Sequence, residues 1–103
     1  MIIYNVTVSI DKDIEIRWLE WMKKTHIPDV MRTGKFLDCK ISRVLSDNKD
    51  EYTYAIAYTC KNMNDYNNYQ QNFANKLKKE HTKKFPGKFA AFRTLLEVVY
   101  IHE

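Results

Sequence analysis

Glycine and proline are scarce in this chain, with two of each among 103 residues. So few breaks leave little room for long irregular loops, and no glycine-rich phosphate cradle is present. Cysteine is equally scarce. Cys39 and Cys60 do not make a disulfide-stapled scaffold, and together with three scattered histidines (His26, His81, His102) they show no zinc spacing. No metal and no cofactor is expected. Long apolar runs are also missing, so nothing is expected to span a membrane. The opening Met1-Ile2-Ile3-Tyr4-Asn5 lacks the basic start and small-residue cleavage site of a signal peptide, which makes the cytoplasm the expected compartment.

What is present is enough for a core. Hydrophobic residues are 45% of the chain and aromatics 14%, and the formal net charge is a mild +4. The length suits one domain, residues 1–103.

The clearest pattern surrounds Asp47-Asn48-Lys49-Asp50. Lys35 to Leu45 and Tyr52 to Cys60 both alternate at a period of two. Folding them back so that Ser46 meets Glu51 places Leu37, Cys39, Ile41 and Leu45 on one face with Cys60, Tyr58, Ile56 and Tyr52. The other face collects Asp38, Lys40 and Ser42 against Thr59, Ala57 and Ala55. A slip of one residue would scramble that sorting. The two cysteines become diagonal neighbours, poor disulfide geometry, and read as small buried apolar groups.

A first strand is predicted from Ile2 to Ile10, with Tyr4, Val6, Val8 and Ile10 on one side. Asp11 or Asp13 is expected to cap the next helix. There Ile14, Trp18, Trp21, Met22 and Thr25 form the inward stripe, with Leu19 at its edge. Pro28 is expected to interrupt the helix, and a short turn over Asp29 to Arg32 to end at Gly34. Asn62, with Asp65 three residues on, marks the start of a second helix. Its inward face is Tyr66, Tyr69, Phe73, Leu77 and His81, and it stops before Pro86-Gly87. Phe92 to Ile101 reads as the last strand.

Strand-helix-strand-strand-helix-strand with right-handed crossovers gives an α+β, ferredoxin-like βαββαβ fold, a four-stranded antiparallel sheet with two helices on one face. The helices belong on Tyr4, Val6, Val8, Tyr52, Ile56 and Tyr58, since burying each such side chain is worth roughly 1.5–3 kcal/mol. The open face is then mixed: Ile3 and Phe36 with Ala, Thr and Ser.

Trp18-Leu19-Glu20-Trp21-Met22 followed by His26-Ile27-Pro28-Asp29-Val30-Met31 resembles the dimeric α+β barrel superfamily, which includes EthD-like proteins and antibiotic-biosynthesis monooxygenases. The likeness is nearest to small members of unknown function. It implies a homodimer and a cavity between helices and sheet. By position it makes His26 and Asp29 the candidate catalytic pair, and Trp18 and Trp21 cavity residues. Met22, Tyr54, Tyr58 and Phe73 complete the expected lining.

Each candidate also has a plain structural reading. Imidazole titrates near neutrality, so His26 can move a proton, with Asp29 orienting it. Equally, His26 can simply close the first helix, with Pro28-Asp29 starting a new turn. Trp18 and Trp21 are also explained by packing. Lys76, Lys78, Lys79, Lys83 and Lys84 form a solvated helix end or a phosphate contact.

Nucleic acid is not expected as a partner. RNA-recognition motifs share this element order, but they stack bases on open-face aromatics. Here that face carries Asn5, Thr7, Ala55, Ala57 and Thr59. The leading expectation is a homodimer of unknown function that binds a small molecule between helices and sheet. The alternatives are a cofactor-independent monooxygenase or isomerase-like enzyme acting on a small aromatic or polyketide-like substrate, and an RNA-binding module.

Overall fold

The computed structural model describes residues 1–103. Alternating residues at the start of the chain form β1 (Ile2–Ile10), which pairs antiparallel with a strand on each side. The hairpin strands are β2 (Asp38–Arg43) and β3 (Thr53–Cys60). Their register, Asp38 opposite Thr59 through Arg43 opposite Tyr54, is the one that brings Ser46 to Glu51. The last strand is β4 (Phe89–Glu97), and the sheet order is β2-β3-β1-β4.

Two helices cover one face. The first, α1, runs over residues 15–31 in three stretches: Glu15–Trp21, a π-turn at Met22–His26, and Ile27–Met31. The second, α2, runs over residues 63–84 with a π-turn at Gln70–Ala74. Asn62 caps it, its side chain accepting from the Asp65 N–H at 2.9 Å. The core between the layers holds Tyr4, Val8, Ile14, Trp18, Met22, Val30, Ile56, Tyr58, Tyr69 and Leu77. Both cysteines are free, and Cys60 is fully buried.

Several expectations are corrected. Pro28 does not interrupt α1. The π-turn redirects the Ile27 N–H to the Met22 carbonyl, and Ile27 stays helical at φ −61°, ψ −46°. That wider turn carries the missing N–H of Pro28 without a break. It also shifts the inward stripe by one residue, so Thr25 is exposed and His26 faces inward. Neither Asp11 nor Asp13 caps the helix through its side chain; both approach Lys88 instead, at 3.7 and 3.1 Å.

Phe36 is buried rather than on the open face. It lies before β2, where the two-residue alternation does not hold, and packs against Tyr4, Tyr58 and Tyr69. Leu37 and Leu45, beyond the two ends of the ladder, are exposed instead of sharing the inward face. The last strand begins at Phe89 and ends at Glu97 because Glu97 pairs with Ile2, the first residue of β1. Only the Val98 N–H reaches further, to the Met1 carbonyl at 2.9 Å. Val99, Tyr100 and Ile101 have no strand left to pair with.

Candidate functional site

A cavity of about 30 Å³ lies between the two helices and the sheet, room for roughly one or two waters. Its floor comes from alternate residues of the central strands: Tyr4, Val6 and Val8 of β1, with Ile56 and Tyr58 of β3. The inward stripe of α1 supplies Met22, His26 and Val30. From α2 come Tyr69, Leu77, Lys78 and His81, and β4 adds Arg93. No carboxylate lines it.

The π-turn of α1 supplies Met22 and His26 to this space, and that of α2 begins just after the lining residue Tyr69. A π-turn widens the helix locally, and such turns gather at functional sites. The only two buried side-chain nitrogens without a hydrogen-bond partner are His26 Nδ1 and Gln70 Nε2, one in each π-turn.

His26 and His81 face one another, ring centres 5.3 Å apart. His81 is buried. Its Nε2 accepts from the Trp18 indole N–H at 2.9 Å, and its ring lies flat on Phe89 at 3.8 Å. Because Nε2 accepts, the ring proton sits on Nδ1. Burial pushes the His81 pKa down to about 3, helped by the nearby His26 and Arg93. Burial likewise lowers His26 to about 4, against a smaller upward pull from Asp29 and with a further lowering from Arg93. Both imidazoles are therefore neutral at neutral pH.

Arg93 stands on the helix-facing side of β4, opposite Val6, and its Nε donates to the Tyr4 hydroxyl at 3.0 Å. It has no carboxylate partner, whereas Arg32 pairs with Asp29 and Arg43 with Glu15. Lys78, half-buried beside it, is lowered by desolvation and by the Arg93 charge.

Of the residues expected from sequence, His26, Met22 and Tyr58 lie on the cavity. Asp29 does not reach His26. It pairs with Arg32 and borders an open depression on the outer side of the helices, together with Phe73. Trp18 stands behind His81. Trp21 stacks on His26 at 5.0 Å and faces the surface near Lys84. Tyr54 is tied to Glu15 and Arg43 through its hydroxyl, at 2.7 and 2.9 Å. No three His, Cys, Asp or Glu side chains converge anywhere as a metal-binding group.

Sequence reasoning missed Lys78, His81 and Arg93 as a group. A histidine on the apolar face of α2 was the available signal. Arg93 was hidden because its facing follows only from the pairing of β4 with β1, which sets it opposite Val6.

These features define a ferredoxin-like α+β domain with a mostly apolar cavity between its helices and sheet, to which His26, Lys78, His81 and Arg93 add polar groups. A family model described as a domain of unknown function, DUF4286, matches residues 1–99, and the chain belongs to that family. No curated protein matches it. Among solved structures it is similar to a dimeric ferredoxin-like protein from an uncultured marine organism, at 13% identity over 100% of this chain and 99% of that one, TM-score 0.71. An ethyl tert-butyl ether D (EthD) family protein from Bacillus halodurans gives 16% identity over 96% and 100% of the two chains, TM-score 0.67. SnoaB, a cofactor-independent oxygenase from Streptomyces nogalater, gives 10% over 97% and 95%, TM-score 0.64. At these identities the likeness concerns the fold.

Proposed function

We propose that the chain, acting as one domain, forms a two-fold homodimer in which each protomer binds a small molecule between its helices and sheet. The observation that carries this reading is the convergence of His26, Lys78, His81 and Arg93 on one cavity that no carboxylate lines. A core serving stability alone is best filled with apolar groups. Convergent polar groups with displaced pKa values in a concavity are the pattern of a ligand site. The cavity, which Lys78 and Arg93 both line, has room for the head of a ligand.

The homodimer is supported by the open face of the sheet. Phe92 and Leu96 are 64% and 47% exposed there, across from Thr7 and Ile3 and near Ala55 and Ala57. A two-fold contact would cover this patch. The marine neighbour is described as dimeric. Two free cysteines suit the cytoplasm, and no helix is long and apolar enough to cross a membrane.

A thermal-shift screen of small aromatic and anionic compounds tests the ligand reading, run on the wild type and on Val6→Phe, which fills the cavity from its floor. Hits that raise the wild-type melting temperature and vanish in a folded Val6→Phe support it; at 100 times its Kd a ligand adds about 2.7 kcal/mol. No hits, or hits indifferent to Val6→Phe, contradict it.

One observation favours an enzymatic second reading. His26 is neutral and its Nδ1 is unpartnered, so that nitrogen is open to a proton, with its basicity held down by burial. In that reading His26 takes a proton from bound substrate without Asp29. His26→Ala then abolishes turnover and leaves ligand binding in place, while Asp29→Asn changes neither.

A further inference from the structure

We propose that the ligand is a small carboxylate on a flat apolar body, its carboxylate clamped between Arg93 and Lys78. This rests on the reading that a small molecule binds between helices and sheet, and it assigns that molecule's charge and the residues that select it.

The geometry of Arg93 is the starting point. Its Nε donates to the Tyr4 hydroxyl, which ties an otherwise exposed guanidinium to the sheet. The terminal nitrogens make no hydrogen bond and no ion pair. A guanidinium oriented through Nε, with its fork free, matches the two oxygens of a carboxylate. Lys78 reaches the same cavity from α2, so two cations from different elements converge on it. Two like charges placed together without an acid destabilise one another, and an anion between them removes that repulsion.

The remaining lining determines the body of the ligand. His26 and His81 add no positive charge at neutral pH, so the site carries the two cations alone. Beyond them lie Tyr4, Tyr69 and Met22, flat or pliable apolar surfaces. The volume of about 30 Å³ suits a planar carboxylate head. The unpartnered His26 Nδ1 is then within the same space as the bound acid's nearest polar group.

The test is calorimetric titration of the wild-type protein with benzoate, with neutral benzamide of the same shape, and with inorganic phosphate, together with NMR observation of the His26 and His81 ring protons. Benzoate is expected to bind at least tenfold more tightly than benzamide or phosphate and to shift both rings. Arg93→Gln and Lys78→Met, each shown to melt cooperatively, are expected to weaken benzoate at least tenfold. Arg93→Lys is expected to recover only part of that, since it restores the charge but not the fork. Benzamide binding as tightly as benzoate overturns the carboxylate assignment and leaves the small-molecule reading standing. So does phosphate binding as tightly, or a benzoate affinity indifferent to both substitutions. Failure of all three probes overturns the assignment, and the Val6→Phe screen then decides the broader reading separately.

Discussion

Trp18 donates its indole N–H to His81 Nε2 at 2.9 Å, a bond that ties α1 to α2 across 63 residues of chain. Both side chains are buried, so the bond forms where water cannot replace it. It also sets the His81 tautomer and turns the ring's flat side to Phe89. The wall of the cavity is thus held by a contact outside it.

Trp18→Phe removes that donor and leaves His81 Nε2 buried without one. Together with the lost volume, the cost is expected to be about 2–4 kcal/mol in chemical denaturation. His81→Gln, whose carbonyl can still accept from the indole, is expected to cost less than Trp18→Phe.

Stability is expected to depend on pH through His26 and His81. Their folded pKa values of about 4 and about 3 lie below the ordinary histidine value, so the unfolded chain binds more protons in between. Their contribution is complete above about pH 6.5 and is lost as pH falls from there toward 3. The groups facing His81 are His26, Trp18 and Trp21 from α1, Phe85 beyond the end of α2, and Phe89 and Arg93 from β4. No carboxylate acts on His81, and Asp29 offsets only part of the loss at His26. Denaturation followed from pH 7 to pH 4 is expected to show a shallower fall for His81→Gln than for wild type; equal slopes would contradict the assignment.

Gly34 closes the segment after α1 at φ +76°, and an added Cβ would meet nothing within 4 Å. Gly34→Ala therefore carries only the backbone penalty of that conformation, about 1–2 kcal/mol in thermal or chemical unfolding. Gly34→Asn is expected to cost less.

Phe92→Glu together with Leu96→Glu places charge in the apolar patch of the open sheet face. Sedimentation at micromolar concentration is expected to give a dimer for wild type and a monomer for the double variant, with unchanged circular dichroism. A wild-type monomer would remove the dimer.

Where alternation or a cap signal is local, the sequence was legible. The hairpin register follows from sorting Cys39, Ile41, Ile56 and Tyr58 to one face, and the Asn62 cap from its spacing to Asp65. The site was harder to read because it depends on departures from ideal periods. A helix of 3.6 residues per turn puts Thr25 inward, and only the π-turn brings in His26 instead. No single residue announces that turn; Pro28 signals a disturbance but not its form. The facing of Arg93 depends on the register of β4 against β1, which sets it opposite Val6. Phe36 escaped the alternation because it precedes the ladder.

The most direct measurement for the central claim is a crystal structure of the protein with the strongest thermal-shift ligand. That ligand is expected between the helices and the sheet, touching His26 and His81 with its polar head at Arg93 and Lys78. A ligand seated only in an outer depression, beside Asp29 and Lys76 or beside Trp21 and Lys84, would contradict it.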